Sequence, residues 1–408
     1  MKKHLPGIEV EQAIALLEQA VSPVVDTEEC DLLEVRDRVL AQDVYSSIAV
    51  PRFARSAMDG YAVHSDDTLG ASPGTPICLQ VLSEVMAGDA PSATVASSTA
   101  VRIMTGAPIP PGYDSVLRQE DSDYGEETVF VYRTVAAGEN YCPPAEDLAE
   151  GTLAVAAHSR LTPHHIGILA SIGLSRVPVL RRLRVGILAT GTELAAPGTK
   201  LEPAQIYATS GYVIASHLLA AGVEVSFVDI CPDKADSFCR TMRLHMPKVD
   251  ILLTTGGVSV GKKDFLEEAL RLLGARILFH GVRMKPGTPV MAALFEGKPV
   301  LCMSGNPFAA LVNFQVLFWP MLAKAMHAPC LSWHRRRAVL CAGSMKPSTL
   351  RRFLRAYCNE RGVHLYTGNH RSSVLSNLTE SNCIIDQPPG KALHVGDSVD
   401  ILYWSCFL

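Results

Sequence analysis

Apolar positions fall at helical spacing in residues 8 to 22 (IEVEQAIALLEQAVS), which predicts an amphipathic helix near the start of the chain. Residues 46 to 146 carry a different pattern. Short β-like runs such as PICLQVL and TVFVYRTV are separated by Gly, Pro, Ser and Thr turn signals, as in a small, mostly β domain. Residues 147 to 178 add a helix-like segment, PHHIGILASIG. From Leu183 short apolar runs alternate with helical ones. RVGILAT, VEVSFVDI, DILLTTGG and KPVLCMSGN read as strands, and DFLEEALRLLGA and NPFAALVNFQVLFWPML as helices. After RVGILAT the pattern predicts Gly191 and then a helix. Pro307 suits the first turn of the last helix, with Asn306 as its cap. This alternation predicts a parallel α/β sheet of roughly 150 residues. From about residue 328 it ends, and AVLCAG, VHLYTG and SVDILYW predict a closing β domain.

Composition narrows the class. At about 150 residues per domain, a chain of 408 residues holds two to four domains. An apolar fraction of 48% and a charged fraction of 19% are those of a globular protein. A net charge of −4 argues against a dedicated nucleic-acid binder. The basic runs Arg181, Arg182, Arg184 and Arg335 to Arg337 read as decoration of strand starts or linkers. The eleven cysteines include no C-x-x-C pair, which suggests reduced thiols, a cytoplasmic protein and no zinc site. The N-terminus has no signal-peptide apolar core, and no run approaches a membrane span.

Ligands of open α/β sheets bind beyond the carboxyl ends of the strands. Three strand ends here carry small or polar loops, ATGTEL, TTGGVSVGKKD and SGNP, each expected to lead into a helix. Glycines admit a ligand close to the backbone, and free N–H groups at a helix start attract anions. Three such loops on one edge predict an anion-binding crevice. Glu193, Asp233 and Asp264 accompany them. Carboxylates beside a phosphate imply a divalent metal between them; alternatively, Glu193 and Asp264 are first-turn acids favoured by the helix dipole. Lys285 in MKPGTP, beyond the strand-like run ARILFHGVRM, is either an oxyanion partner or a solvated lysine. Gly256, Gly261 and Lys262 also fit the P-loop pattern G-x-x-x-x-G-K, but Lys263 stands where a Ser or Thr would hold magnesium. A glycine loop for another ligand is the better reading than a nucleotide triphosphatase.

These loops occur in order with SAMDGYAV, IMTGAPIPPGYDSVL, EDLAEGT, LTPHHIGILASIGLSRVPV, MKPGTPV, FLRAY and TGNHRSSVLSNLTESNCII. From about residue 8 to its end the chain resembles the molybdopterin molybdenumtransferase family, which includes bacterial MoeA and the E domain of gephyrin. The resemblance implies a multidomain α/β plus β fold. An elongated domain would comprise 1–45 and the linker part 147–178, an inserted β domain 46–146, a molybdopterin-binding α/β domain 179–327 and a C-terminal β-barrel 328–408. It implies a cytoplasmic homodimer, with a cleft between the α/β domain of one subunit and the β domain of the other. The implied reaction inserts molybdenum from molybdate into adenylylated molybdopterin and releases AMP, with magnesium or another divalent metal, and serves molybdoenzyme clients.

Matched position by position, the resemblance implies that Asp59, Thr105 and Gly106 face the cleft from the β domain and that Asp147 closes it. Glu193, Asp233 and Asp264 would be the cleft carboxylates, with Glu193 and Asp264 on the metal. Gly256, Gly257 and Ser259 would cradle the pterin or its phosphate. Lys285, Pro286 and Pro289 would shape the molybdate pocket, beside Gly305 and Asn306, while Arg355 and Ser373 would touch molybdate. The chain departs from the family pattern at several places. Ala54 and Arg55 replace D-N, and Ala208, Thr209 and Ser210 replace D-S-N. Thr192 replaces the acid of G-D-E, and Thr288 replaces a lysine. Ser304 and Ala309 stand at the ends of P-G-N-P-V-S, and CPPAED replaces R-x-x-G-E-D. Most changes remove a polar contact, so a non-catalytic paralog that binds or delivers molybdopterin or the finished cofactor is the alternative to an active enzyme.

Overall fold

The computed structural model describes residues 7–90, 95–258 and 265–404. The first helix, α1 (Val10–Ala20), forms where the apolar spacing places it. Its packing differs from expectation: Val10, Ala13 and Leu17 are buried in the core of the α/β domain rather than with the rest of residues 1–45. Burying each larger side chain of such a stripe is worth about 1.5–3 kcal/mol, and the α/β domain supplies the matching apolar surface. The rest of the two flanking segments forms one unit. Thr27–Asp31 pairs antiparallel with Arg176–Leu180, and Val44–Tyr45 with Leu153–Val155. Val35, Leu40, Leu161, Leu169 and Val177 give this unit its own core. Between its halves lies the β domain, a five-stranded sheet built from residues 60 to 131.

The α/β domain runs β1 (Arg184–Thr190), α2 (Ser210–Ala220), β2 (Glu224–Cys231), α3 (Ala235–His245), β3 (Ile251–Thr255), α4 (Phe265–Leu272), β4 (Arg276–His280), β5 (Met291–Phe295), β6 (Lys298–Met303) and α5 (Pro307–Ala325). The sheet order is β2-β1-β3-β6-β5-β4. The first four of these run parallel to one another, whereas β5 pairs antiparallel with both β6 and β4. β3 is buried along its whole length and β1 along all but its first residue, which is why they read as continuous apolar runs. β2 lies at an edge and is only partly covered. By length and composition α5 could cross a membrane, but 94% of its apolar stretch is buried inside the protein, so it is a core helix.

The helix expected directly after RVGILAT does not form there. Leu194–Ala195 and Ile206–Tyr207 pair as two short parallel strands, and α2 begins only at Ser210. Pro197, Gly198 and Pro203 explain the delay, because proline and glycine break a helix in this stretch. Beyond α5, β7 (Arg335–Ala342), β8 (Arg351–Asn359), β9 (Gly362–Leu365), β10 (Cys383–Gln387) and β11 (Ser398–Tyr403) close into a ring ordered β8-β9-β7-β11-β10-β8. This is the C-terminal barrel. A two-residue strand of the α/β domain, Met284–Lys285, adds to β8 in parallel at Arg351 and Arg352.

Candidate functional site

The chain leaves β1 for β2 on one side, then crosses back to β3 on the other. Strand order therefore reverses between β1 and β3, the place where such sheets open a crevice. The carboxyl ends there are level: Thr190 lies opposite Cys231, Ala189 opposite Thr255, and Thr255 opposite Met303. The loops beyond them wall a crevice of about 740 Å³. It gathers Glu193, Asp233, Gly256, Gly257, Pro289, Gly305, Asn306 and Ser373 of the residues singled out in the sequence.

The floor is backbone against backbone. Gly256 has φ +93°, and a Cβ on it would lie 2.2 Å from the carbonyl oxygen of Thr190. A Cβ on Gly305 would lie 3.3 Å from Gly256 Cα. The N–H of Gly256 donates to Met303 O at 3.1 Å, and that of Gly191 to Cys231 O at 3.1 Å. Any side chain at Gly256 would push the β1 and β3 loops apart.

Glu193 is exposed at the crevice, and Asp233 is half-buried. Glu193 is not a first-turn acid, since no helix follows it; its carbonyl accepts the N–H of Ile206 at 2.8 Å, and its side chain folds beside Gly191. The helix-dipole alternative therefore falls for this residue. Among the described residues no group of three or more His, Cys, Asp or Glu assembles. Two carboxylates are nevertheless a suitable donor set for magnesium, which takes oxygen ligands, keeps several waters and shares substrate phosphates. Ser259 and Asp264 lie outside the described residues.

Several expected residues stand elsewhere. Arg355 is fully buried, not open to the crevice. Its guanidinium donates to the carbonyls of Asn369, Arg371 and Val374 and lies 3.5 Å from the centre of the Phe308 ring. Burial pulls its pKa down to about 10. Arg355 braces the loop that carries Ser373, and Ser372 O accepts the N–H of Phe308 at 2.9 Å. Lys285 is exposed and Pro286 half-buried, and neither lines the crevice, because Met284–Lys285 is engaged as a strand on the barrel. Asp59, Thr105, Gly106 and Asp147 lie on or beside the β domain and do not line it either. There Asp59 Oδ1 accepts both the hydroxyl and the N–H of Thr105 at 2.7 Å, and these bonds hold the carboxyl below its usual range. Asn306 starts α5, but its side chain makes no capping bond.

Thr190 and Tyr207 also line the crevice and are not singled out in the sequence, and Ser304, noted there only as a departure from the family pattern, lines it too. Thr190 and Ser304 each end or follow a buried strand, a positional signal that was available. Tyr207 was hidden by the helix expected before it.

Three family profiles match the chain in succession: "MoeA N-terminal region (domain I and II)" over residues 8–173, "Probable molybdopterin binding domain" over 186–324 and "MoeA C-terminal region (domain IV)" over 337–404. The chain is 34% identical over 386 residues to molybdopterin molybdenumtransferase 2 of Mycobacterium tuberculosis, covering 93% of this chain and 94% of that one. It is 34% identical over 390 residues to the molybdopterin molybdenumtransferase of Bacillus subtilis, covering 92% and 90%. The crystal structure of the molybdopterin biosynthesis MoeA protein from Pyrococcus horikoshii superposes with a TM-score of 0.86 at 26% identity, covering 98% of this chain and 99% of that one. On sequence along nearly its whole length and on the fold of all its domains, the chain belongs to the molybdopterin molybdenumtransferase (MoeA) family.

Proposed function

We propose that this protein acts in molybdenum cofactor biosynthesis and inserts molybdenum from molybdate into molybdopterin at the crevice between β1 and β3. The observation that carries the reading is the convergence there of three glycine-containing strand-end loops with Glu193 and Asp233. The glycine floor admits the phosphate end of the pterin substrate against backbone, and α5 begins beside it at Pro307. In the finer form of the reaction the substrate is adenylylated molybdopterin, and water cleaves its phosphoanhydride, which releases AMP and leaves the phosphate on the pterin. Magnesium bound by Glu193 and Asp233 would supply charge neutralisation for the phosphates. The protein's own part is to orient the pterin and hold its phosphate on the loops. The β-domain set around Asp59 reaches the cleft from a second subunit. Cys30, Cys231, Cys239 and Cys383 carry unbridged thiols, which fits a cytoplasmic enzyme.

Incubation with adenylylated molybdopterin, molybdate and magnesium should release AMP and yield molybdenum cofactor. Glu193→Ala should lower the rate by a factor of about 10²–10³, the loss expected when one electrostatic stabiliser is removed. AMP release no faster than in that variant would remove the reading. Tight molybdopterin binding without turnover would favour the delivery protein instead, for which Ala208, in place of a family acid at the crevice wall, is the supporting observation.

A further inference from the structure

Helix α5 is buried without a break from Phe308 to Leu322, and the polar side chains in that stretch are Asn313 and Gln315. A buried amide costs free energy unless its hydrogen bonds are met. Gln315 meets them at the barrel: its Nε2 donates to Tyr403 O at 2.7 Å, and its Oε1 accepts the indole N–H of Trp319 at 2.9 Å. Asn313 meets them at the crevice loops.

Asn313 is fully buried. It stands about two turns into the helix, and helical side chains lean toward the N-terminus. Its amide thereby reaches two separate loops. Oδ1 accepts the N–H of Ser304 at 3.3 Å, and Nδ2 donates to Gly287 O at 2.9 Å. These partners fix which way the amide points, because an N–H only donates and a carbonyl only accepts. Gly287 has φ +92°, and a Cβ on it would lie 2.3 Å from Asn313 Nδ2. The glycine therefore makes room for the amide. Ser304 and Gly287 are themselves buried, so solvent does not simply replace a bond lost to Asn313.

Both loops continue into the crevice. Ser304 lines it and is followed by Gly305, which packs against Gly256 in the floor. Gly287 leads through Thr288 to Pro289, which also lines it. Asn313 itself does not line the crevice. We infer that Asn313 is a positioning residue: one amide holds the floor loop and the Pro289 loop at a single spacing, and that spacing sets the fit of the pterin substrate. The inference rests on the function proposed above and adds the residue that shapes its site from behind. Asn313 touches neither substrate nor reacting atoms, so it acts equally on the bound substrate and the transition state. Its loss raises KM and leaves kcat.

The test compares Asn313→Ala, Gly287→Ala and the double variant as full-length proteins, each assayed below its melting temperature. Each single change should raise KM for adenylylated molybdopterin and the dissociation constant for molybdopterin about tenfold, with kcat within about threefold of wild type. Gly287→Ala keeps every atom of Asn313 and displaces its amide, so it reads the link even where Asn313→Ala folds poorly. In the double variant the shortened side chain at 313 leaves space for the Cβ at 287. Its constants should therefore match those of Asn313→Ala rather than the product of the two losses. Constants unchanged in both single variants overturn the inference, as do losses that multiply in the double variant. A lowered melting temperature with wild-type KM and dissociation constant also overturns it, since that marks an amide that only supports the fold. Wild-type protein that binds molybdopterin without releasing AMP removes the proposed reaction and not the inference, which the dissociation constants then decide.

Discussion

At Gly256 the need for glycine is set by two separate demands. The backbone is left-handed, which costs another residue about 1–3 kcal/mol, and a Cβ would overlap Thr190 O. Gly274 separates the two, since it has φ +73° with nothing within 4 Å of its missing Cβ. Gly256→Ala should therefore lower the urea midpoint clearly more than Gly274→Ala. Equal losses would mean that the contact between the β1 and β3 loops carries no strain. The departures from the family pattern also sort at this scale. Ala309 is buried and does not line the crevice, so the missing serine there leaves the site untouched. Thr288 donates its hydroxyl to Met284 O at 2.5 Å, which fixes its own loop. Ala208, Thr209, Ser210 and Ser304 are the substitutions that stand in the wall of the crevice.

Between elements, His217 on α2 makes a pH-sensitive junction. It is buried, with its ring 6.1 Å from Phe314 of α5 and 6.2 Å from Trp404 beyond β11. Burial lowers its pKa from 6.5 to about 4. Between those values the unfolded chain binds a proton that the folded chain refuses, so stability falls as pH drops through this window. The expected loss between pH 7 and pH 5 is about 2 kcal/mol. Urea unfolding at the two pH values measures it against His217→Gln, which should lose less; an equal loss would place the sensitivity elsewhere. Element scale also separates what the sequence shows from what it hides. β1, β3 and β6 are legible because strands buried on both faces must be apolar throughout, and their loops mark the crevice. The pairing of Leu194–Ala195 with Ile206–Tyr207 is not legible, because two-residue strands have no period. The inward turn of Arg355 is also hidden, since its carbonyl partners lie fourteen to nineteen residues away in a loop with no regular pattern.

For the molecule as a whole, the proposed reaction pairs two regions of the chain: the crevice with Glu193, and the β-domain face with Asp59 and Thr105. If two subunits complete each cleft, mixing inactive Asp59→Ala and Glu193→Ala proteins will regenerate activity. Each mixed dimer carries one intact cleft and one doubly altered cleft. Random exchange of a symmetric homodimer then gives about a quarter of wild-type AMP release. No recovery after subunit exchange, verified by differently tagged chains, would place both halves in one subunit.

The short strand Met284–Lys285 sets a limit on modularity. The barrel closes on itself, yet β8 takes this additional partner from the α/β domain. A cut at residue 328 therefore severs the chain where the sequence changes character but not where the hydrogen bonding ends. A barrel grafted from a relative inherits β8 without the strand it was shaped to meet. Chimeras that exchange 284–285 together with the barrel keep that seam matched, so recombination within the family has this lateral joint to conserve as well as the covalent one.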